Sequence, residues 1–258
     1  MYKAVSGVLK KGLYTKVIGR RILSFEQLSS TMDVALREAL NGTEDGTVVL
    51  AGSQTAGRGR FHRPWVSESG NLLMSVVIYP SMAELPFVSM IAGLAVARAI
   101  QKETGLNTKI KWPNDVLLGG RKVCGLLVEN ALEGGVVRYA IVGIGINVTL
   151  DPEKFPEIAS IATSLNKETG HEVDRSSLLR QTMHELDSIY LELKDGRSPV
   201  AEWSTYLETL GRQVEVKWGD EVIRGYAEEV DDLGHLLVRQ DDGSLVKLSA
   251  GEVTFQIG

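Results

Sequence analysis

The stretch with the densest capacity for chemistry is Gln54-Thr55-Ala56-Gly57-Arg58-Gly59-Arg60-Phe61-His62-Arg63-Pro64-Trp65. Three guanidinium groups alternate with two glycines between Gly57 and Arg63, and an indole closes the run. Arginine presents a planar fork of donors that suits carboxylate and phosphate. Glycine lets backbone N–H groups come close to a ligand. Like charges at this spacing repel, so the loop is expected to be mobile when empty and ordered around an anion. A solvated basic surface loop is the alternative reading of the same residues. Two apolar runs frame it, Thr47-Val48-Val49-Leu50-Ala51 before and Leu72-Leu73-Met74-Ser75-Val76-Val77-Ile78-Tyr79 after. A long loop held between buried strands is usually functional.

A second cluster is Lys111-Trp112-Pro113-Asn114-Asp115. The residue before a proline avoids the helical region, so Trp112-Pro113 sets an extended kink that fixes Lys111, Asn114 and Asp115 relative to one another. Near a polyphosphate the lysine would be a charge clamp and the aspartate a magnesium ligand. A structural Lys–Asp pair is the alternative. Lys122 heads an otherwise apolar strand over 122–129, where a lysine is unexpected; a solvated strand end is its plainer explanation. Gly143-Ile144-Gly145 follows a strand but lacks the third glycine of a dinucleotide fingerprint. These glycines mark places where a ligand or another backbone comes close. No G-x-x-x-x-G-K-S/T phosphate loop and no G-x-S-x-G elbow is present.

The elements that must position these residues follow from periodicity and turn signals. Residues 21–25 alternate as a short strand, and Ser29-Ser30-Thr31 offers caps for a helix over 32–40 that stops at Gly42. Residues 85–104 form a long buried helix with Pro86 in its first turn. Gly119-Gly120 and Gly134-Gly135 are tight turns, which implies hairpins and a mixed or antiparallel sheet. Helices are expected at 158–164, 174–194 and 199–209. From Gly211 the texture changes to short strands with turns at Trp218-Gly219-Asp220, Asp231-Asp232-Leu233-Gly234 and Asp241-Asp242-Gly243, the pattern of a small all-β barrel. The expected fold is α+β, a mixed or antiparallel central sheet with flanking helices. The expected segments are a basic N-terminal extension (1–20), a catalytic domain (21–210) and a C-terminal barrel (211–258).

Composition narrows the function classes. A hydrophobic fraction of 43% with 24% charged residues is that of a soluble globular chain. A net charge of −5 argues against sequence-blind nucleic-acid binding. The single cysteine, Cys124, rules out an internal disulfide, and four scattered histidines show no zinc spacing. No apolar stretch is expected to reach the roughly eighteen residues of a membrane span, and no signal peptide is expected at the N-terminus. The reading is a cytoplasmic protein without a membrane partner.

In their order along the chain these pieces resemble the catalytic domain of biotin protein ligases, the biotin–acetyl-CoA-carboxylase ligase family. The matching motifs are Ser30-Thr31, Gln54 to Arg60 with Arg63 and Trp65, and Lys111 to Asp115. Arg121-Lys122 with Gly125-Leu126-Leu127-Val128-Glu129 follows, then Gly143 to Asn147, Ala162-Thr163-Ser164-Leu165 and the C-terminal barrel. The resemblance implies a class II synthetase-like catalytic fold and an SH3-like barrel. It implies ATP and Mg2+ with biotin as substrate, a biotinyl-5′-AMP intermediate, and transfer to a lysine of a biotin carboxyl carrier protein. By carry-over, Ser30, Thr31, Met32 and Gln54 sit at the ureido ring of biotin. Arg58, Gly59, Arg60 and Lys122 meet its carboxylate and the α-phosphate, and Gly125 and Gly143 bed its apolar tail. Arg58, Arg60, Arg63, Trp65, Lys111 and Asn147 face the nucleotide, with Trp65 over adenine and Asn147 at its edge. Catalysis falls to Lys122, Arg58, Lys111 and Asp115, the last as a magnesium ligand or as the group that activates the acceptor lysine. Met32 stands where the family usually has asparagine, and His62 where it usually has glycine, which should stiffen the loop. A lipoate-type ligase and a pure carrier-binding module are the weaker readings. So is a biotin-responsive repressor, which needs a helix-turn-helix ahead of the catalytic domain; no DNA partner is expected, and a homodimer is compatible.

Overall fold

The computed structural model describes residues 3–4 and 12–255, apart from the side chains of Lys3, Ala4 and His62. Most of the expected basic extension, and the stiffening expected of the His62 side chain, lie outside the described residues. Eight strands form one sheet: β1 (Lys3–Ala4), β2 (Ile22–Leu28), β3 (Thr47–Gln54), β4 (Leu72–Ile78), β5 (Thr108–Lys111), β6 (Asp115–Leu118), β7 (Arg121–Glu133) and β8 (Val136–Ile146). Their order is β1-β2-β3-β4-β8-β7-β6-β5. Strands β2 and β3 run parallel and the other described pairs run antiparallel, so the sheet is mixed. The turn between β6 and β7 places Gly119 and Gly120 at φ 54° and 76°, a geometry open to glycine and costly for other residues.

Helix α1 (Thr31–Leu40) covers one face of the sheet, with Met32, Val34, Ala35 and Ala39 against Val49, Val77 and Ile141. The other face carries α2 (Val88–Thr104), then, after the short α3 (Leu165–Thr169), α4 (Arg175–Lys194) and α5 (Val200–Tyr206). Residues Leu85–Thr104 are long and apolar enough to cross a membrane, which the sequence reading did not expect. The apolarity has a local cause. Helix α2 lies between the sheet and α4 as a core helix, with Ile91, Ala95, Val96, Ala99 and Ile100 wholly buried.

Beyond α5 a second sheet of β9 (Gln213–Trp218), β10 (Glu221–Val230), β11 (Leu236–Arg239), β12 (Leu245–Leu248) and β13 (Glu252–Phe255) runs antiparallel in the order β12-β11-β10-β9-β13. Its inner residues Val214, Val216, Ala227 and Val253 join the main core, so the two sheets share one apolar interior. Trp112, 2% exposed, is the pin: its backbone N–H donates to Thr209 Oγ1 (2.9 Å) and its indole Nε1–H to the Gly234 carbonyl (3.0 Å).

The helix expected at 158–164 does not form. The Lys122 backbone N–H donates to the Ile161 carbonyl (2.8 Å) and Thr163 N–H to the Lys122 carbonyl (2.9 Å). Pairing with the end of β7 takes the groups a helix would use among themselves, and the helix starts later, at α3 with Ser164 as its cap residue. Helix α5 is also shorter than the expected 199–209.

Asp187 of α4 fastens the segment that precedes β2. Its carboxylate, 5% exposed, accepts backbone N–H bonds from Lys16, Val17 and Ile18, each at 2.8 Å. Asp187→Ala removes every one of these acceptors and should cost about 2–4 kcal/mol, since charge-assisted bonds are lost and a buried donor is stranded. Urea unfolding measures it; a midpoint equal to wild type would show that solvent replaces the carboxylate.

Candidate active site

Strand register builds the floor of a cleft on the face covered by α1. Leu73 of β4 opposes Gly145 of β8, Gly145 opposes Gly125 of β7, Gly125 opposes Asp115 of β6, and Asp115 opposes Lys111 of β5. Directly opposed residues share a face, so two glycines sit mid-row with an Asp and a Lys at one end. One step along, Ser75, Gly143 and Leu127 form a parallel row. The missing side chains are sterically required. A Cβ on Gly145 would lie 2.6 Å from the Trp65 indole, one on Gly125 2.7 Å from the same ring, and one on Gly143 2.8 Å from Met32 Sδ. Trp65 thus lies flat on Gly125 and Gly145, and Met32 lies over Gly143.

Lys122 reaches this face through an irregularity. In a regular strand residues 122 and 125 point to opposite faces. Between Val116 and Leu117 of β6 the register to β7 slips, with Cys124 opposite Val116 and Lys122 opposite Leu117. Such a bulge re-aims a side chain. The Lys122 ammonium consequently lies 2.7 Å from Asp115 Oδ1 and 5.3 Å from the centre of the Trp65 ring. Lys111 Nζ approaches the other oxygen of Asp115 at 3.9 Å. Asp115 Oδ1 is shut off from solvent and makes no well-angled hydrogen bond. At 2.7 Å from an ammonium its pairing is nonetheless ionic, because Coulomb attraction does not depend on bond angle.

The arginines of the loop are committed to partners, contrary to the expectation that they wait for an anion. Arg58 Nη1 donates to Asp33 Oδ1 (2.6 Å) and Nε to Glu129 Oε1 (3.2 Å). Arg63 Nη2 donates to Glu252 Oε2 (2.8 Å) at the start of β13, a second bond joining Nη1 to Oε1. Arg60 differs. Its Nη1 donates to the side-chain carbonyl of Asn114 (2.9 Å), and among the described residues no carboxylate lies within ion-pair distance. Burial pulls its guanidinium below the ordinary arginine value, against the more distant fields of Asp115 and Glu252. A desolvated cation without a contacting anion is the group in the cleft with most to gain from one. Phe61 holds φ at 55°, a left-handed conformation uncommon for a bulky residue, with Arg60 4.9 Å above its ring.

The inner end of the cleft is polar and buried. Ser30, 1% exposed, caps α1 by accepting from Met32 N–H (3.3 Å). Thr31 donates to Gln54 Oε1 through both its backbone N–H (2.7 Å) and its hydroxyl (3.0 Å). At the other end Asn147, 3% exposed, donates through Nδ2 to the Thr163 carbonyl (3.1 Å), which turns its side-chain oxygen Oδ1 toward the cleft side, while its backbone carbonyl accepts from Leu165 N–H (2.9 Å).

The residues given site roles from the sequence line this one cleft, from Ser30, Thr31, Met32 and Gln54 through Arg58, Gly59, Arg60, Arg63 and Trp65 to Lys111, Asp115, Lys122, Gly125, Gly143 and Asn147. Sequence reasoning marked Gly145 as a point of close approach without giving it a role, and it missed Leu73, Ile161 and above all Gly251, Glu252 and Val253, which the C-terminal sheet contributes. Nothing local in the sequence signals a partner 189 positions away. A resident metal does not fit. Two ammonium groups already flank Asp115, and the described residues contain no group of three or more His, Cys, Asp or Glu placed to hold an ion.

The ion pairs of Arg58 carry a prediction for the loop. In the double variant Asp33→Asn, Glu129→Gln both anionic partners of Arg58 are gone, and trypsin should cut after Arg58 several-fold faster than in wild type. The readout is the rate of appearance of the two fragments, and equal rates would show that these pairs do not hold the loop.

Known proteins resemble this chain in sequence and fold. Residues 24–147 match the Biotin/lipoate A/B protein ligase family, and residues 209–255 match the Biotin protein ligase C terminal domain. The bifunctional ligase/repressor of Bacillus subtilis is 36% identical over 241 residues, covering 91% of this chain and 74% of that protein. The biotin–acetyl-CoA-carboxylase ligase of Mycobacterium tuberculosis is 32% identical over 234 residues, covering 87% and 85%. Among solved structures, the biotin protein ligase of Aquifex aeolicus in complex with biotin and ATP superposes with a TM-score of 0.77 at 28% identity, covering 93% of this chain and 100% of that one. The glycine-floored cleft therefore sits in a fold shared along nearly its whole length, and the chain belongs to the biotin protein ligase family.

Proposed function

We infer that the chain activates biotin with ATP to biotinyl-5′-AMP, releasing pyrophosphate, and transfers the biotinyl group to one lysine of a biotin carboxyl carrier protein. The observation that carries this reading is the cleft's polarity. A buried polar pocket at the start of α1 leads past the apolar side chains of Met32 and Trp65, seated on the glycine floor, to the cations Lys122, Arg60 and Lys111. A ligand with a neutral polar head, an apolar tail and a terminal carboxylate matches that sequence of surfaces.

In the first step an oxygen of the biotin carboxylate attacks the α-phosphorus of ATP and the bond to pyrophosphate breaks. Negative charge grows on the phosphoryl oxygens, where preorganised cations stabilise the transition state more than the ground state. Lys122 and Arg60 supply that field. In the second step the acceptor amine attacks the carbonyl carbon and AMP leaves. The amine's proton needs a base, and Asp115, paired with Lys122 in the empty cleft, is the carboxylate we assign to it. Ser30, Thr31, Met32 and Gln54 take the ring; Arg58 and Gly59 close over the carboxylate from the loop. Gly125 and Gly143, expected to bed the tail directly, instead seat Trp65 and Met32, whose apolar side chains border it. Trp65, Arg63, Lys111 and Asn147 bound the nucleotide. Magnesium enters this reading as the counter-ion that ATP brings, not as an ion held by Asp115. We take the domain boundary to lie near residue 210, a reading that the C-terminal match over residues 209–255 supports. ATP and the carrier place the proposed reaction in the cytoplasm.

Biotin-dependent exchange of pyrophosphate into ATP tests the reading directly; lipoate in place of biotin should give no exchange. Lys122→Ala should slow exchange by roughly 10²–10³ and leave biotin affinity nearly unchanged by calorimetry. Exchange at the wild-type rate would remove Lys122 from the chemistry.

A further inference from the structure

A chain of hydrogen bonds runs from the buried end of the cleft to the loop, and it passes through a residue outside the cleft lining. Ser75 Oγ, fully buried, donates to Thr31 Oγ1 (2.8 Å), and Thr31 Oγ1 to Gln54 Oε1 (3.0 Å). Gln54 Nε2 donates to Ser67 Oγ (3.0 Å), and Ser67 Oγ donates to the Trp65 carbonyl (3.1 Å). The other side of Trp65 is also tied, since its N–H donates to the Gly57 carbonyl (2.9 Å). Gly57 closes on the same point. A Cβ there would lie 2.5 Å from Ser67 Oγ, 2.8 Å from the Trp65 carbonyl and 3.0 Å from Gln54 Nε2. The main chain of Trp65 is thus fixed by the amide of Gln54 through one hydroxyl, while its indole lies on Gly125 and Gly145 beside Lys122.

We propose that Ser67 is a positioning residue that couples occupancy of the inner, ring end of the cleft to the placement of Trp65 at the nucleotide end. The inference rests on the proposed activity for the identity of the two ligands. Gln54 Oε1 already accepts two bonds from Thr31, and Nε2 gives one proton to Ser67. A ring ligand that accepts the remaining Nε2 proton fixes the plane of the amide. Ser67 passes that constraint to the Trp65 carbonyl and so to the indole. The Trp65 Nε1–H is buried and makes no hydrogen bond among the described residues, so the indole position leaves a donor unsatisfied. A nucleotide that offers an acceptor or a stacking face gains from an indole already held in place. Ser67 touches neither ligand, yet binding at one end lowers the ordering cost at the other.

The test is calorimetric titration of α,β-methylene ATP into the full chain, with and without saturating biotin. In wild type, biotin should tighten binding of the analogue. In Ser67→Ala that tightening should shrink about five-fold, the worth of one hydrogen bond, while the Kd for biotin alone changes by less than about two-fold. Ser67→Thr, which keeps the hydroxyl, should restore the coupling. Full coupling in Ser67→Ala, or no coupling in wild type that binds both ligands, overturns the inference and leaves the proposed activity standing. A parallel loss of biotin affinity in Ser67→Ala makes the residue merely structural and also overturns it. Wild type that binds neither ligand overturns both.

Discussion

The constraint on which the site depends is the absence of side chains along three strand positions. Gly125, Gly143 and Gly145 are brought to one face by the pairing of β4, β8 and β7. Each would collide with Met32 or Trp65 if it carried even a methyl group. Glycine within a strand is destabilising, because it packs nothing and loses more entropy on folding. The sheet tolerates it here because neighbours such as Val142, Ile144 and Ile146 are almost wholly buried in the main core. The opposite face is thereby left free to be shaped for a ligand. Once the floor is flat, the parts above it have defined seats: Met32 from the first turn of α1, and Trp65 from the end of the arginine loop.

Charge in the cleft is divided rather than pooled. Arg58 and Arg63 are neutralised by Asp33, Glu129 and Glu252, and these ion pairs run between elements, so they act as ties for the loop. They are half-exposed, and each contributes little to global stability. Their consequence is local, in setting where the backbone of 57–65 lies. Lys122 and Lys111 share a single carboxylate, which leaves net positive charge at the end of the glycine row. Arg60 adds a buried guanidinium that meets only a neutral amide. An incoming anion therefore displaces little, and the field that receives it is already in place.

How much of this the sequence carried depends on the range of the interaction. The loop, both glycine turns, the long core helix and the antiparallel C-terminal strands were legible because each is written in local pattern. Motif order brought in the family, and the residues given roles from it lie along one cleft. Three features were not legible. The slip opposite Val116 turns Lys122 onto the cleft face, and strand periodicity cannot show where a bulge falls. The segment 158–164 has helical spacing but gives its backbone groups to Lys122, a tertiary pairing that overrides propensity. The partners of the arginines are remote in sequence, so repulsion within the loop was visible and its neutralisation was not.

The C-terminal sheet illustrates the same point at the scale of a domain. Read alone, residues 211–258 form a small β unit with no chemistry in it. Yet Gly234 receives the indole N–H of Trp112, and the residue between that indole and Lys111 is none, so the ring is anchored one peptide away from a cleft lysine. Gly251 packs toward the same ring, where a Cβ would stand 3.5 Å from it. Glu252, the next residue, grips Arg63 from the far side of the loop. The C-terminal sheet thus holds both segments that carry cations into the cleft, one by a buried indole and the other by an ion pair. A cleft at a domain junction is a common place for a ligand, and here the junction has a mechanical reason. The short strand β5 sits at the sheet's edge with one strand neighbour, β6, and its outer side is paired by the segment that leads into the C-terminal sheet, where Glu208 N–H donates to the Ile110 carbonyl (2.8 Å).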